Sequence, residues 1–100
     1  MVTDHLQSVI ERAMLTVPEG VHVHSIMLFG SRLSGEEHPG SDYDFVADID
    51  DRIGMFGLLA IKHALEDSLG ARVDLLMTES VHPVLKKQIL STARTVYEKR

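Results

Sequence analysis

The chain has 100 residues, of which 15 are acidic and 10 are basic, so its net charge is −5 with the histidines neutral. This length makes one domain (residues 1–100) with a modest core, and the acidic balance disfavours direct binding to a nucleic-acid backbone. Cysteine is absent, which excludes disulfides and thiol catalysis. Charged residues near the start argue against a signal peptide, and no apolar run is long enough to span a bilayer. We therefore expect a cytoplasmic protein without membrane contact.

The first half of the chain opens with a helix and a strand. Apolar residues at helical spacing predict a helix from about Asp4 to Leu15, and Pro18 and Gly20 end it. A strand follows over Val21–Phe29, in which two histidines share one face and are more simply polar surface residues than metal ligands. The next ten residues, 32–41, contain two glycines and a proline and are expected to form a loop that bends around a ligand.

A second strand begins at Asp42, where the sequence alternates D-Y-D-F-V-A-D-I-D. One face then carries Tyr43, Phe45, Ala47 and Ile49, and the other carries Asp42, Asp44, Val46 and Asp48. Carboxylates at positions i and i+2 lie about 7 Å apart at their Cα atoms, and they repel each other unless a cation lies between them. Mg²⁺ prefers such oxygen ligands together with substrate phosphates. The pattern predicts a metal site at Asp42 and Asp44, although an acidic strand that merely resists aggregation remains an alternative.

Gly30 and Ser31 follow the first strand directly and are candidates for a phosphate-binding loop. Glycine lets the backbone approach a ligand closely, and the serine hydroxyl can donate to phosphate oxygens. Arg32 either binds a phosphate or pairs with the acidic loop, and the sequence leaves both open. A Walker A loop is excluded because Glu36 and Glu37 occupy the Lys and Ser/Thr positions, and the Rossmann and EF-hand patterns are not met either.

The second half predicts a helix, a strand, a helix and a short strand, over Ile53–Leu69, Arg72–Met77, Val81–Leu90 and Arg94–Glu98. Met55 and Phe56 are expected in the core, as are Val84, Leu85 and Ile89, and Ser80 is expected to cap the third helix. Asp74 faces away from its apolar strand neighbours. Five of the ten basic residues lie between Lys86 and Arg100, which indicates either a solvated face or a surface for a partner.

The pattern Gly30-Ser31, ten residues, Asp42-x-Asp44 resembles the motif of the polymerase-β-like nucleotidyltransferase superfamily. That family has a third carboxylate on a later strand, and Asp74 matches it. The small size, the L-F-G-S-R opening and the V-D-L-L strand look most like the minimal nucleotidyltransferases, the antitoxin partners of HEPN-domain toxins. The resemblance implies a single α/β (α+β) domain in which helices flank a mixed sheet.

The resemblance also implies a function. Asp42, Asp44 and Asp74 would hold two Mg²⁺ ions and carry catalysis, while Gly30, Ser31 and Arg32 would bind the nucleotide. AMP from ATP would pass to a tyrosine hydroxyl of a HEPN ribonuclease toxin, with release of pyrophosphate, and would neutralise the toxin. Two alternatives stay open: an antitoxin that acts by binding alone, and a nucleotidyltransferase that modifies RNA ends or a small molecule.

Overall fold

The computed structural model describes residues 2–29 and 43–99. Its helices are α1 (Val2–Thr16), α2 (Gly54–Leu69) and α3 (Pro83–Thr92), and its strands are β1 (Val23–Phe29), β2 (Tyr43–Ile49), β3 (Val73–Met77) and β4 (Arg94–Glu98). Short 3₁₀ helices precede β1, α2 and α3, at Pro18–His22, Asp51–Ile53 and Thr78–Ser80. Helices flanking a sheet are the α/β (α+β) architecture that the sequence predicts.

The four strands form one mixed sheet in the order β3-β2-β1-β4. Strand β1 is antiparallel to both β2 and β4, and β2 is parallel to β3. Strands β2, β3 and β4 therefore run in the same direction, and β1 runs against them. The predicted short edge strand at the end of the chain is confirmed as β4.

One face of the sheet, the core face, is covered by α1 and α2. Val46 of the opposite face is buried but lies outside the core cluster, to which Phe45, Ala47 and Ile49 belong, so the alternating residues of β2 share a face as expected. They pack with residues of both helices in a single cluster, whose largest fully buried side chains are Phe45, Ile10, Ile26, Ile61, Leu65, Val23 and Val96. Burying these side chains stabilises the fold by about 1.5–3 kcal/mol each.

Helix α3 takes a different path, because it connects strands at the two edges of the sheet. The crossover through α2 runs from β2 outward to β3, and the crossover through α3 returns from β3 past the whole sheet to β4. Both join parallel strands, and such crossovers are right-handed in about 98% of cases. Two right-handed crossovers in opposite directions place their helices on opposite faces. We therefore assign α3 to the other face. None of its residues is buried.

Several expected helix residues are placed differently from the prediction. His82, not Ser80, caps α3, since its Nδ1 accepts a hydrogen bond from the Val84 N–H at 3.2 Å. The expected core side chains Val84 and Leu85 are 62% and 54% exposed, and Met55 and Phe56 are 70% and 87% exposed. Helical spacing identified an apolar stripe in each case, but no other described element covers these side chains.

Backbone geometry at two glycines fixes the helix ends. Gly70 adopts the left-handed conformation (φ 65°) and its N–H donates to the Glu66 carbonyl, which ends α2 where the sequence predicts. A Cβ atom at Gly20 would lie 2.0 Å from the carbonyl oxygen of Met14, so the turn after α1 packs against the helix more closely than any side chain allows.

Candidate active site

Three neighbouring strands bring Asp44, Asp74 and Phe29 into one row. Asp44 is the Cα partner of Asp74 across the parallel β2–β3 pair, and it is the Cα partner of Phe29 across the antiparallel β1–β2 pair. Adjacent strands lie about 4.8 Å apart, so the two carboxylates belong to immediately neighbouring backbones. The row lies at one end of the sheet, the carboxylate end, where β1 ends and β2 and β3 begin.

Alternation along the strands sets the direction of these side chains. Phe45 and Leu75 follow the two aspartates in sequence and are buried in the core cluster. Asp44 and Asp74 therefore project from the opposite side of the sheet, the carboxylate face, where Asp44 is partly buried and Asp74 is exposed. The expectation that Asp74 points away from Val73, Leu75 and Met77 is confirmed.

The other predicted site residues lie outside the described part of the chain. Gly30, Ser31, Arg32 and Asp42 all fall in the range 30–42, between β1 and β2. In the sequence, Gly30 follows Phe29 and Asp42 precedes Tyr43, so the covalent chain joins them to the described row at both ends. Their roles stay predictions.

The chemistry of this row suits a hard divalent cation. Two carboxylates on adjacent strands repel each other in the absence of a cation, and carboxylate oxygens are the ligands that Mg²⁺ uses together with substrate phosphates. Within residues 2–29 and 43–99 there is no cluster of three or more metal-binding side chains, and of the predicted ligands Asp44 and Asp74 lie in this part of the chain. Asp42 is the predicted third ligand.

Two further aspartates at the end of β2 do not belong to the row. Asp48 lies four residues beyond Asp44, is exposed, and faces Ser25 of β1. Asp50 caps the 3₁₀ helix that precedes α2 by accepting the Arg52 N–H at 3.0 Å, and its carboxylate pairs with the Arg52 guanidinium at 2.8 Å. These hydrogen bonds hold the pKa of Asp50 well below its ordinary value. The cap gives Asp50 a structural role at the start of this 3₁₀ helix.

A cavity also lies at the carboxylate end, but on the core face. It has a volume of about 230 Å³, and its lining residues come from α1, the ends of β1 and β2, and the end of α2: His5, Leu6, Val9, Leu28, Tyr43, Ser68 and Leu69. The ring of Tyr43 stacks on that of Phe45 with 5.8 Å between their centroids, so this wall belongs to the core. The sheet separates the cavity from the side chains of Asp44 and Asp74.

Phe29 is the residue of the row that sequence reasoning missed. It is only partly buried and does not belong to the core cluster, so an aromatic side chain lies beside Asp44 on the carboxylate face. The available signal was its position immediately before Gly30, on the strand face opposite to Leu28.

A family model described as "Polymerase beta, Nucleotidyltransferase" matches residues 15–100. The match includes every element from the end of α1 to β4, and hence both described carboxylates. The chain belongs to the polymerase-β nucleotidyltransferase family. The resemblance that the Gly-Ser and Asp-x-Asp spacing indicated is thereby confirmed.

Relatives and solved structures agree with this assignment. Protein adenylyltransferase MntA of Thermococcus cleftensis is 28% identical over 90 residues, which are 90% of this chain and 91% of that protein. A chain of a toxin–antitoxin complex with AMP-PNP superposes with a TM-score of 0.70 at 23% identity, covering 94% of this chain and 74% of that one.

A third similar chain comes from Shewanella oneidensis, in a complex of tri-AMPylated HEPN toxin with MNT antitoxin. It superposes with a TM-score of 0.67 at 19% identity and covers 97% of this chain and 73% of that one. At these identities the two structures show a shared fold. None of the helices in the described part of this chain is long and apolar enough to cross a membrane.

Proposed function

We propose that this chain is an antitoxin nucleotidyltransferase, which uses Mg-ATP to transfer AMP to a tyrosine hydroxyl of a HEPN ribonuclease toxin and thereby neutralises it. The observation that carries the proposal is the register of Asp44 with Asp74 on the carboxylate face of a nucleotidyltransferase domain. A pair of acidic side chains at the end of a sheet suits phosphoryl chemistry. Neither side chain belongs to the core cluster.

Similar proteins support the substrate and the acceptor. The Thermococcus relative is a protein adenylyltransferase, and one structural neighbour was solved with AMP-PNP, an analogue of ATP. Another neighbour forms a complex with an AMPylated HEPN toxin. These properties belong to those proteins, and we extend them to this chain because it shares their fold and retains the motif residues.

The reaction joins the acceptor oxygen to the α-phosphorus of ATP and breaks the bond from that phosphorus to the oxygen that bridges to the β-phosphate. Pyrophosphate leaves, and the phenolic proton is transferred to a base. Asp74 is exposed on the edge strand β3, where an incoming protein side chain can approach, so we assign it to orient the hydroxyl or accept its proton. Asp44, on the next strand inward, faces the nucleotide.

Mg²⁺ bound by Asp42, Asp44 and Asp74 would neutralise the charge that develops on the phosphates. Gly30 and Ser31 come directly after β1, the strand on the other side of Asp44 from Asp74, and we assign them to hold the β- and γ-phosphates. Arg32 is the nearest cation in the sequence that could bind the leaving pyrophosphate.

The experiment incubates the purified chain with Mg²⁺, ATP labelled at the α-phosphate, and the product of the adjacent gene. We expect label on a tyrosine of that protein and loss of its ribonuclease activity. If the two proteins bind and the ribonuclease is inhibited without transfer of label, the chain acts by binding alone. Label found on RNA or on a small molecule, with none on protein, would contradict a protein acceptor and identify that molecule as the substrate.

A further inference from the structure

Helix α3 exposes apolar side chains that the rest of the described chain does not cover. Val84, Leu85 and Leu90 are 62%, 54% and 44% exposed, and α3 contains no buried residue at all. Large aliphatic side chains on a ten-residue helix lose hydrophobic stabilisation when they remain in water, so a helix of this kind usually contacts another molecule.

The same segment differs from the rest of the chain in charge. No acidic residue lies between Glu79 and Glu98, whereas Lys86, Lys87 and Arg94 fall within that range, in a chain whose net charge is −5. Lys87 and Arg94 are exposed, and the ion pairs within residues 2–29 and 43–99 are those of Asp50 with His22 and Arg52. We call Val84, Leu85, Lys87, Leu90 and Arg94 the α3 surface.

The α3 surface extends to the carboxylate end of the sheet. Helix α3 starts beyond the end of β3, where Thr78 donates a hydrogen bond to the Ala47 carbonyl, and it ends where β4 begins. Arg94, the first residue of β4, is the Cα partner of Leu28, and the next residue of β1 is Phe29, the partner of Asp44. A molecule seated on the C-terminal half of α3 would therefore lie beside the row of Phe29, Asp44 and Asp74.

We propose that the α3 surface binds the protein that accepts AMP, through a segment of that protein whose apolar side chains are flanked by acidic ones. This inference rests on the function proposed above and names the surface that brings the acceptor to the site. Exposed aliphatic side chains beside the cations favour a protein over a nucleic acid, because a phosphate backbone offers them no apolar partner. A second copy of this chain would oppose like charges across the two-fold axis.

A second exposed apolar patch provides a matched control. Met55 and Phe56 are more exposed than Val84, Leu85 and Leu90 of α3, but they lie in the first turn of α2, which follows the far end of β2 on the core face. Simple hydrophobic attraction would make this patch at least as good a docking site. The α2 patch stays at that far end and its neighbouring cation, Arg52, is paired with Asp50, whereas α3 returns to the carboxylate end at Leu90 and Arg94.

The test compares Leu85→Gln/Leu90→Gln with Met55→Gln/Phe56→Gln, using the full chain and the product of the adjacent gene. Binding is measured by calorimetry, AMP transfer is measured at limiting and at saturating partner, and circular dichroism confirms that each variant is folded. We expect the α3 variant to bind at least ~10-fold more weakly and to lose transfer in proportion at limiting partner, with its maximal rate retained. The α2 variant should match the wild type.

Charge is tested with Lys87→Glu/Arg94→Glu against Arg12→Glu, which alters an exposed cation on α1. We expect slower association and weaker salt dependence only for the first variant. Equal binding of the partner by the wild type and both α3 variants would overturn the proposal. It would also be overturned if these substitutions abolished RNA binding, seen as a mobility shift, or homodimer formation, while partner binding persisted. If the wild type binds the partner through α3 but transfers no label, the proposed function fails and the docking surface stands.

Discussion

The two faces of the sheet differ in what covers them and in what they carry. The core face is filled by α1 and α2, and its strand residues Phe45, Ala47 and Ile49 are almost fully buried. The carboxylate face carries Asp44, Asp74 and the partly buried Phe29, and we assign to it only the loosely packed α3. Successive residues of the same strands alternate between the two faces.

This difference separates the residues that maintain the fold from those that we assign to chemistry. On the core face a substitution should change stability, because it removes buried apolar surface. At the exposed and partly buried positions of the carboxylate face a substitution should change activity or binding while the fold persists, whereas Val46, which is 2% exposed on that face, should behave like a core residue. Substitutions on the two faces test this separation.

Replacing either carboxylate of the row should have the largest effect on activity. We expect Asp44→Asn or Asp74→Asn to slow AMP transfer at least ~100-fold, because each removes negative charge that would hold metal and orient the acceptor. Asp48→Asn is the matched control, since it lies on the same strand and the same face but four residues away. The measurement is the initial rate of AMP transfer from ATP labelled at the α-phosphate. Comparable losses of rate in all three variants would contradict the assignment of the site to the row.

Truncating matched residues on the two faces should give opposite results. Phe45→Ala should destabilise the protein by about 3–5 kcal/mol, because it leaves a large cavity in the core. Leu76→Ala, on the carboxylate face of β3, should cost less than about 1 kcal/mol because the side chain is 36% exposed. Urea denaturation measures both. A larger loss from Leu76→Ala would show that the carboxylate face contains a core of its own.

Gly20→Ala should destabilise the turn between α1 and β1. The new Cβ atom would clash with the backbone carbonyl of Met14, which a rotamer change cannot relieve, and overpacking of this kind costs about 1–3 kcal/mol. AMP transfer at a temperature well below the melting transition should be unchanged, since the turn is far from Asp44. A melting temperature equal to that of the wild type would show that the turn is looser than described.

The acidic cap at Asp50 should make a small, pH-dependent contribution. Its folded-state pKa is lowered by hydrogen bonds to Arg52, so the contribution is present above the unfolded pKa of about 4 and is lost as the pH falls further towards the folded pKa. We expect Asp50→Asn to reduce stability slightly at pH 7 and to match the wild type at strongly acidic pH. Denaturation at both pH values checks this, and a difference that grows with acidity would contradict it.

Sequence patterns predicted the faces of the strands well. The alternation from Tyr43 to Ile49 requires only that one side of a strand be buried, and the matching position of Asp74 followed from the same rule applied to β3. Gly70 stopped α2 as expected, because its left-handed conformation suits glycine. These features depend on local geometry, which neighbouring residues fix.

The errors concern contacts between distant segments. Apolar spacing in α2 and α3 predicted burial of Met55, Phe56, Val84 and Leu85, yet burial requires another element at that place, and the spacing does not show whether one is present. The same limit applies to Phe29, whose position in the row with Asp44 and Asp74 depends on its register with Asp44. The predicted roles of Gly30, Ser31, Arg32 and Asp42 lie outside the described residues and stay predictions.

The central claim is that Asp44 and Asp74 act together on one metal–nucleotide complex. The most direct test is a titration of the protein with Mn²⁺ in the presence of AMP-PNP, followed by electron paramagnetic resonance, for the wild type and the Asp44→Asn, Asp74→Asn and Asp48→Asn variants. We predict that the first two substitutions weaken Mn²⁺ binding by ~10-fold or more and that Asp48→Asn leaves it unchanged. Unaltered binding in the Asp74→Asn variant would contradict a shared site.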